Sequence, residues 1–186
     1  MLTGMSQSKL CFKGFISIIN YIDSVNEFIG KAISWFSFLL VILVTTDVVM
    51  RYGFNISFVA LEEMQWHLYA LIFLLGAGYT LRHNGHVRVD VIYQRLPKRV
   101  KAFINVIGTL LFLFPGCFLV IKTSLPFVYS SWIVNEGSAD PGGLPARYLL
   151  KAAIPVAFVL LGIQGISMLL KNLCLLFGLT LEKEGK

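Results

Sequence analysis

Four long apolar stretches, separated by short polar ones, dominate the chain. They run from about Ala32 to Met50, from Trp66 to Leu81 (with Met64 and Gln65 able to extend it), from Ala102 to Ile121 and from Ala152 to Leu170. A helix needs about 20 such residues to cross roughly 30 Å of hydrocarbon at about 1.5 Å per residue. In lipid a helix satisfies its own backbone polar groups, whereas four strands cannot close a barrel. The pattern therefore predicts four transmembrane helices. Ahead of the first, Phe15, Ile18, Ile19, Ile22, Val25 and Ile29 recur with helical period, with Lys13, Ser17, Asp23, Ser24 and Glu27 largely opposite. This predicts an amphipathic helix over residues 15–29. It either lies in the membrane interface or extends helix one on the cytoplasmic side. The expected fold is an all-α membrane protein, one transmembrane domain of four helices preceded by an amphipathic helix.

Composition agrees with lipid as the solvent. Apolar residues make up 56% of the 186 and charged residues only 14%, against about a quarter in soluble domains. The first apolar run starts too late and runs too long for a cleaved signal peptide, and no small-x-small cleavage pattern follows it. Cys11, Cys117 and Cys174 are far apart and form no CxxC pair, so neither a disulfide nor a metal site is expected from them.

Charge sets the expected orientation. Of the 16 Lys and Arg, all but Arg51, Lys122, Arg147 and Lys151 lie in the head, in the second loop with the residues leading into helix three, or in the tail. The second-loop group is Arg82, Arg88, Arg95, Lys98, Arg99 and Lys101. Short basic segments stay in the cytoplasm, which places both termini and that loop inside. The net charge of +6 then implies contact with anionic inner-leaflet lipid, and no nucleic-acid partner is expected.

Candidate chemistry is sparse. Asp47 and Arg51, four apart, share a helix face and can pair. Either both mark the outer interface, or Asp47 is a docking residue, since an acid in an apolar span is costly. Glu62 and Glu63 open helix two, where acids complement the helix dipole. Gly76, Ala77 and Gly78 offer a close-approach surface. His67, His83 and His86 belong to one helix and its exit, which argues against haem or a metal, because a bis-histidine haem takes ligands from facing helices. Pro115 predicts a kink in helix three, which can run on to Tyr129 or Trp132. The outer loop from Trp132 to Pro145 is too rich in Pro and Gly for a regular element. It is either a connector or an external docking surface. The middles of all four helices lack Asp, Glu, Lys, Arg and His, and Gln164 is the one strongly polar residue deep in helix four. A self-sufficient transporter needs polar or broken-helix sites near the midplane. No phosphate loop, serine triad or dicysteine pair appears either. The residues favour a non-enzymatic subunit of something larger, without cofactor or metal.

Several stretches resemble one family. Asp47-Val-Val-Met-Arg51-Tyr-Gly-Phe-Asn55, Glu62-Glu63, Leu75-Gly76-Ala77, Arg82…His86-Val-Arg-Val-Asp90…Leu96-Pro97 and Gly137-Ser-x-Asp-Pro-Gly-Gly-Leu-Pro-x-Arg-Tyr-x-x-Lys151-x-x-Ile-Pro155 are similar to the small permease subunit of tripartite ATP-independent periplasmic (TRAP) transporters. The resemblance implies a prokaryotic inner-membrane system of three parts. A periplasmic solute-binding protein captures an organic acid, and a large multi-helix permease subunit carries it inward by an elevator motion coupled to an ion gradient. The small subunit scaffolds the large one. It further implies Asp47, Arg51, Glu62, Glu63, Arg82, His86 and Asp90 as partner-contact residues. Asn55, Asn135, Glu136, Asp140 and Arg147, in or beside the two outer loops, become the periplasmic docking candidates. Two other classes remain open at this point: a membrane anchor of a redox enzyme, and a free-standing small channel.

Overall fold

The computed structural model describes residues 3–83 and 96–177, with side chains from Ile16 onward. These residues form four long helices and no strand: α1 (Thr3–Gly53), α2 (Val59–Arg82), α3 (Lys98–Ile133) and α4 (Arg147–Leu176). Three segments are long and apolar enough to cross a membrane: Ile16–Gly53, Lys98–Ile133 and Arg147–Leu176. The shorter α2 is less apolar, because Glu62, Glu63, Gln65 and His67 occupy its first half.

Of the two arrangements open for the amphipathic segment over residues 15–29, the structure has the extension of helix one. It is the N-terminal part of α1, which runs unbroken for 51 residues. Between Ile29 and Ala32 the only weak helix former is Gly30, and packing retains it there: a β-carbon at Gly30 would collide with the Tyr79 ring on α2. Asp23 and Glu27 of the segment's polar face turn toward the other helices, while Ser17 and Ser24 stay exposed.

α1 and α2 form an antiparallel hairpin, and α4 packs against both. α3 packs along the other side of α4 and makes no extended contact with α1 or α2. The α3–α4 register is well marked. Cys117 faces Gly162, Leu113 meets Gly165, and the Trp132 ring packs edge-on to Tyr148 with centroids 4.7 Å apart. Within α3 the backbone widens to π geometry over Thr109–Leu113. Pro115 explains it, since its ring cannot donate to the Leu111 carbonyl and crowds it, and a π turn absorbs the mismatch.

The largest fully buried side chains are Gln164, Asn26, Thr109 and Ser167, while Trp35, Phe38, Phe112 and Phe118 are exposed. This inversion suits a lipid environment, where apolar side chains gain nothing by turning inward and polar ones join helices. Charged residues recur at one interval: Glu27 and Asp47 on α1, Glu63 and Arg82 on α2, and Lys151 and Lys171 on α4 are each 19 or 20 positions apart. At the helical rise this is about 30 Å, the thickness of the hydrocarbon layer.

Candidate partner interface

Charged side chains gather in two networks, one at each end of the helices. The outer network begins at the α1–α2 turn. Asp47 is buried and accepts a hydrogen bond from Arg51 Nη2 at 3.0 Å, and Arg51 also pairs with Glu62. Arg51 and Glu62 stay almost half exposed, so solvent screens that pair. Asn55, in the turn itself, is exposed with a left-handed backbone (φ 55°), a conformation that asparagine tolerates better than most residues.

Glu63 is placed differently from its neighbour. Its side chain is only 4% exposed, and both carboxylate oxygens are occupied. Oε1 accepts from Ser138 Oγ and from Arg147 Nη2 at 2.9 Å, and Oε2 accepts from the Leu144 backbone N–H at 2.6 Å. One carboxylate thus pins both ends of the 138–144 loop to the head of α4. Gly143 makes room for it, since a β-carbon there would lie 2.8 Å from Glu63 Oε2. Arg147 also lies over the Trp66 ring, 5.5 Å from its centroid. α4 starts at Arg147, preceded by Ala146 in a left-handed conformation (φ 61°), so Pro145 precedes the helix instead of forming its first turn.

Glu136 closes the other side of the loop. It accepts from Ser131 Oγ at 2.6 Å and pairs with Lys151, whose ammonium lies 4.2 Å from the Phe127 ring centroid. The Lys151 and Ser131 hydrogen bonds hold its carboxyl below the usual glutamate range. Asn135 is exposed with a left-handed backbone (φ 47°), and Asp140 is exposed at the loop tip.

The inner network joins three helices. Asp23 Oδ1 on α1 accepts from Gln164 Nε2 at 3.0 Å and Ser167 Oγ at 2.8 Å on α4, while Oδ2 pairs with Lys171. Asn26 Nδ2 donates to Gln164 Oε1 at 2.9 Å, and its Oδ1 faces Gly78 of α2. Arg82 of α2 reaches back to α1, where Nη1 donates to the Asp23 carbonyl and to Glu27 Oε2, each at 2.6 Å. His83 contacts the same Glu27 oxygen at 3.0 Å.

Of the sequence candidates, the structure brings together Asp47, Arg51 and Glu62 in one cluster, and Glu63 and Arg147 in another. Glu136 joins Lys151, and Arg82 goes to the opposite end. Asn55, Asn135 and Asp140 stand on the outer loops. His86 and Asp90 lie outside the described residues. Asp23, Asn26 and Glu27 were not among the candidates. Their spacing (i, i+3, i+4), facing Gln164, Ser167 and Lys171 at i, i+3 and i+7, is the signal that links them. No group of three potential metal ligands occurs among the described residues.

Residues 40–175 match the family model for "Tripartite ATP-independent periplasmic transporters, DctQ component". The chain belongs to this family. A Haemophilus influenzae protein, named as a candidate TRAP transporter small permease, is 30% identical over 162 residues, covering 83% of this chain and 95% of the relative. The ectoine TRAP transporter small permease protein of Halomonas elongata is 26% identical over 162 residues, covering 86% and 82%. The C4-dicarboxylate TRAP transporter small permease protein of Vibrio cholerae is 29% identical over 87 residues, covering 47% and 36%.

As a DctQ-family protein, the chain is a transmembrane component of a TRAP transporter and not an enzyme. The matched region contains the whole outer network. Of the inner network it contains Arg82, His83, Gln164, Ser167 and Lys171, but Asp23, Asn26 and Glu27 precede it.

Proposed function

We propose that this DctQ-family chain is a fixed frame in the bacterial inner membrane, with four transmembrane helices and both termini in the cytoplasm. It scaffolds a large elevator-type permease subunit, for ion-coupled uptake of an organic acid delivered by a periplasmic binding protein. The observation that carries this reading is how the polar side chains are used. In the two networks they pair with one another and sit at levels about 30 Å apart, with α2 following the same interval as α1 and α4. That spacing supports α2 as a fourth span despite its lower apolarity. A chain that bound and moved a solute would keep polar groups uncommitted near mid-depth.

Meanwhile α1 and α3 present broad apolar faces, suited to lipid and to a helical partner. Arg51 and Glu62, with Asp47 behind them, are candidates for contact with the large subunit. Glu63 and Arg82 act at one remove, by fixing the shapes that a partner meets, and His86 and Asp90 remain contact candidates from the sequence pattern. Asn55, Asn135, Glu136, Asp140 and Arg147 belong to the surface offered to the periplasmic protein. The small-subunit relatives are named for ectoine, a zwitterion, and for C4-dicarboxylates, which are dianions. We assign solute choice to the partners, because the charged side chains of this chain's two networks pair with one another.

Reconstitution into liposomes tests the reading. Labelled organic acid with its binding protein and a sodium gradient should enter vesicles holding both membrane subunits, and not vesicles holding this chain alone. Uptake by this chain alone would establish a free-standing transporter and sink the scaffold reading.

A further inference from the structure

Lys122 is a cation out of place. It lies on the side of α3 turned away from α4: Cys117, Ser124 and Ser131 are buried along the contact strip, while Phe118, Lys122 and Tyr129 are exposed. No ion pair or hydrogen bond from a described residue reaches its ammonium. Its depth follows from the α3–α4 register. With Cys117 opposite Gly162 and Trp132 against Tyr148, Lys122 lies level with Val156 and Ala157. That is about 9 Å along the helix inside the level of Lys151, in the outer network. Lys101 and Lys122 are themselves 21 positions apart, an interval that would fit the two interfaces. The packing against α4 nevertheless sets α3 about six residues inward. A lysine stem extends about 6 Å, which is too short to bring the ammonium up to the outer charged level.

A second polar group sits beside it. Pro126 lies inside the helix, four residues after Lys122, and has no N–H to give to the Lys122 carbonyl. The nearby hydroxyls donate elsewhere: Thr123 to the Leu119 and Val120 carbonyls, and Ser124 to the Ile121 carbonyl. One apolar face at this depth thus carries an ammonium without an acceptor among the described residues, beside a helix turn that lacks one N–H donor. Lipid phosphates lie at the headgroup level, whereas a side-chain carboxylate on a neighbouring helix can meet the ammonium within the span.

We propose that the outward face of α3 around Lys122 and Pro126 docks a membrane-spanning helix of a partner subunit that presents an Asp or Glu carboxylate to Lys122. This rests on the scaffold reading above and names the face and the chemistry of the contact. Burying the ion pair between two helices gives Lys122 its counter-charge, and the partner helix excludes the lipid that would otherwise surround it. The rest of the face, with Leu111, Phe118, Leu119 and Leu125 exposed, supplies apolar contact on either side.

The test is co-purification of the full chain with the large permease subunit expressed beside it, comparing wild type, Lys122→Arg, Lys122→Met and Lys122→Glu. Methionine is the discriminating variant, because it suits lipid better than lysine does and keeps an unbranched side chain only one atom shorter. The docking account predicts at least about tenfold lower recovery of the partner with Lys122→Met and Lys122→Glu. Lys122→Arg should retain it. The thermal midpoint of the isolated Lys122→Met chain should stay at or above wild type, which separates lost docking from lost folding. Undiminished partner recovery with Lys122→Met overturns the proposal while leaving the scaffold reading intact, and so does a loss of bound phospholipid without loss of partner. Failure of the wild-type chain to recover any large permease overturns the scaffold reading, and this proposal with it.

Discussion

The two polar networks solve different problems with the same residue types. At the outer end, Glu63 and Glu136 are anchors for irregular backbone. They hold the 134–146 connection onto the helix ends, and three of the groups they bind (Ser131, Ser138 and the Leu144 N–H) carry no charge. At the inner end, Asp23, Asn26 and Glu27 are ties from α1 directly to α2 and α4. In water such ties are weak, but where neighbouring surfaces are lipid-facing they decide which helix faces meet. The outer network therefore governs the shape of a loop, and the inner one governs the assembly of the bundle.

The largest effect is expected from breaking an inner tie. Asp23→Ala leaves Lys171, Gln164 and Ser167 without their shared acceptor, and should destabilise the bundle by about 3 kcal/mol. Thermal unfolding in detergent would show it, with α1 separating from α4. Glu63→Gln at the outer end should cost less, about 2 kcal/mol, because it removes a charge from Arg147 but retains a side chain that can accept the Leu144 N–H. Its signature is local: faster proteolysis between Gly137 and Pro145, with the helices still together. If Glu63→Gln separated the helices, or Asp23→Ala merely loosened the loop, the division between the networks would be wrong.

Packing beside the inner network comes next. Gly30→Val would drive a branched side chain into Tyr79 and should destabilise by about 1–3 kcal/mol. An unchanged melting temperature would show that α1 and α2 pack less closely than this.

The outer loop should also respond to acid. The Glu136 carboxyl is held low by Lys151 and Ser131, so the stability it lends is present above the unfolded value of about 4.3 and is lost as pH falls through the folded value. Amide protection factors across residues 134–146, corrected for the intrinsic exchange rate, should fall on acidification below about pH 4. Glu136→Gln should remove that dependence, and a variant as pH-sensitive as the wild type would assign the effect elsewhere. The smallest effect belongs to Arg51→Ala. Its pair with Glu62 is nearly half exposed, so the cost to the isolated chain should stay under about 1 kcal/mol. Any larger loss seen only in the assembled transporter would identify Arg51 as a partner contact.

Much of this architecture could be read along the chain. The apolar runs locate the helices because the bilayer fixes their length. The Asp47–Arg51 pairing follows from four-residue spacing, and the irregular outer loop follows from its prolines and glycines. What stayed hidden depends on contacts between distant positions. Asp23 meets Lys171 across 148 residues and Glu63 meets Leu144 across 81, and nothing local in either sequence marks the partner. The polar face of residues 15–29 left an interfacial helix and an extension of helix one both open, because periodicity reports that a face is polar without saying what it touches. The depth of Lys122 was concealed for a similar reason. The third apolar run stops at Ile121, and a helix running on towards Trp132 was readable from the sequence, but only the register of α3 against α4 shows where the lysine lies.

The account stands or falls on the two networks lying on opposite sides of the membrane. Single cysteines in a background lacking Cys11, Cys117 and Cys174, probed with a membrane-impermeant maleimide, test this directly. Asp140→Cys, beside the Glu63 anchor, should be labelled from the periplasmic side of intact cells with a permeable outer membrane. Lys98→Cys and Lys186→Cys should be labelled only after the inner membrane is opened. Labelling of Lys98→Cys or Lys186→Cys in the intact cells, or protection of Asp140→Cys until lysis, would contradict the four-span arrangement.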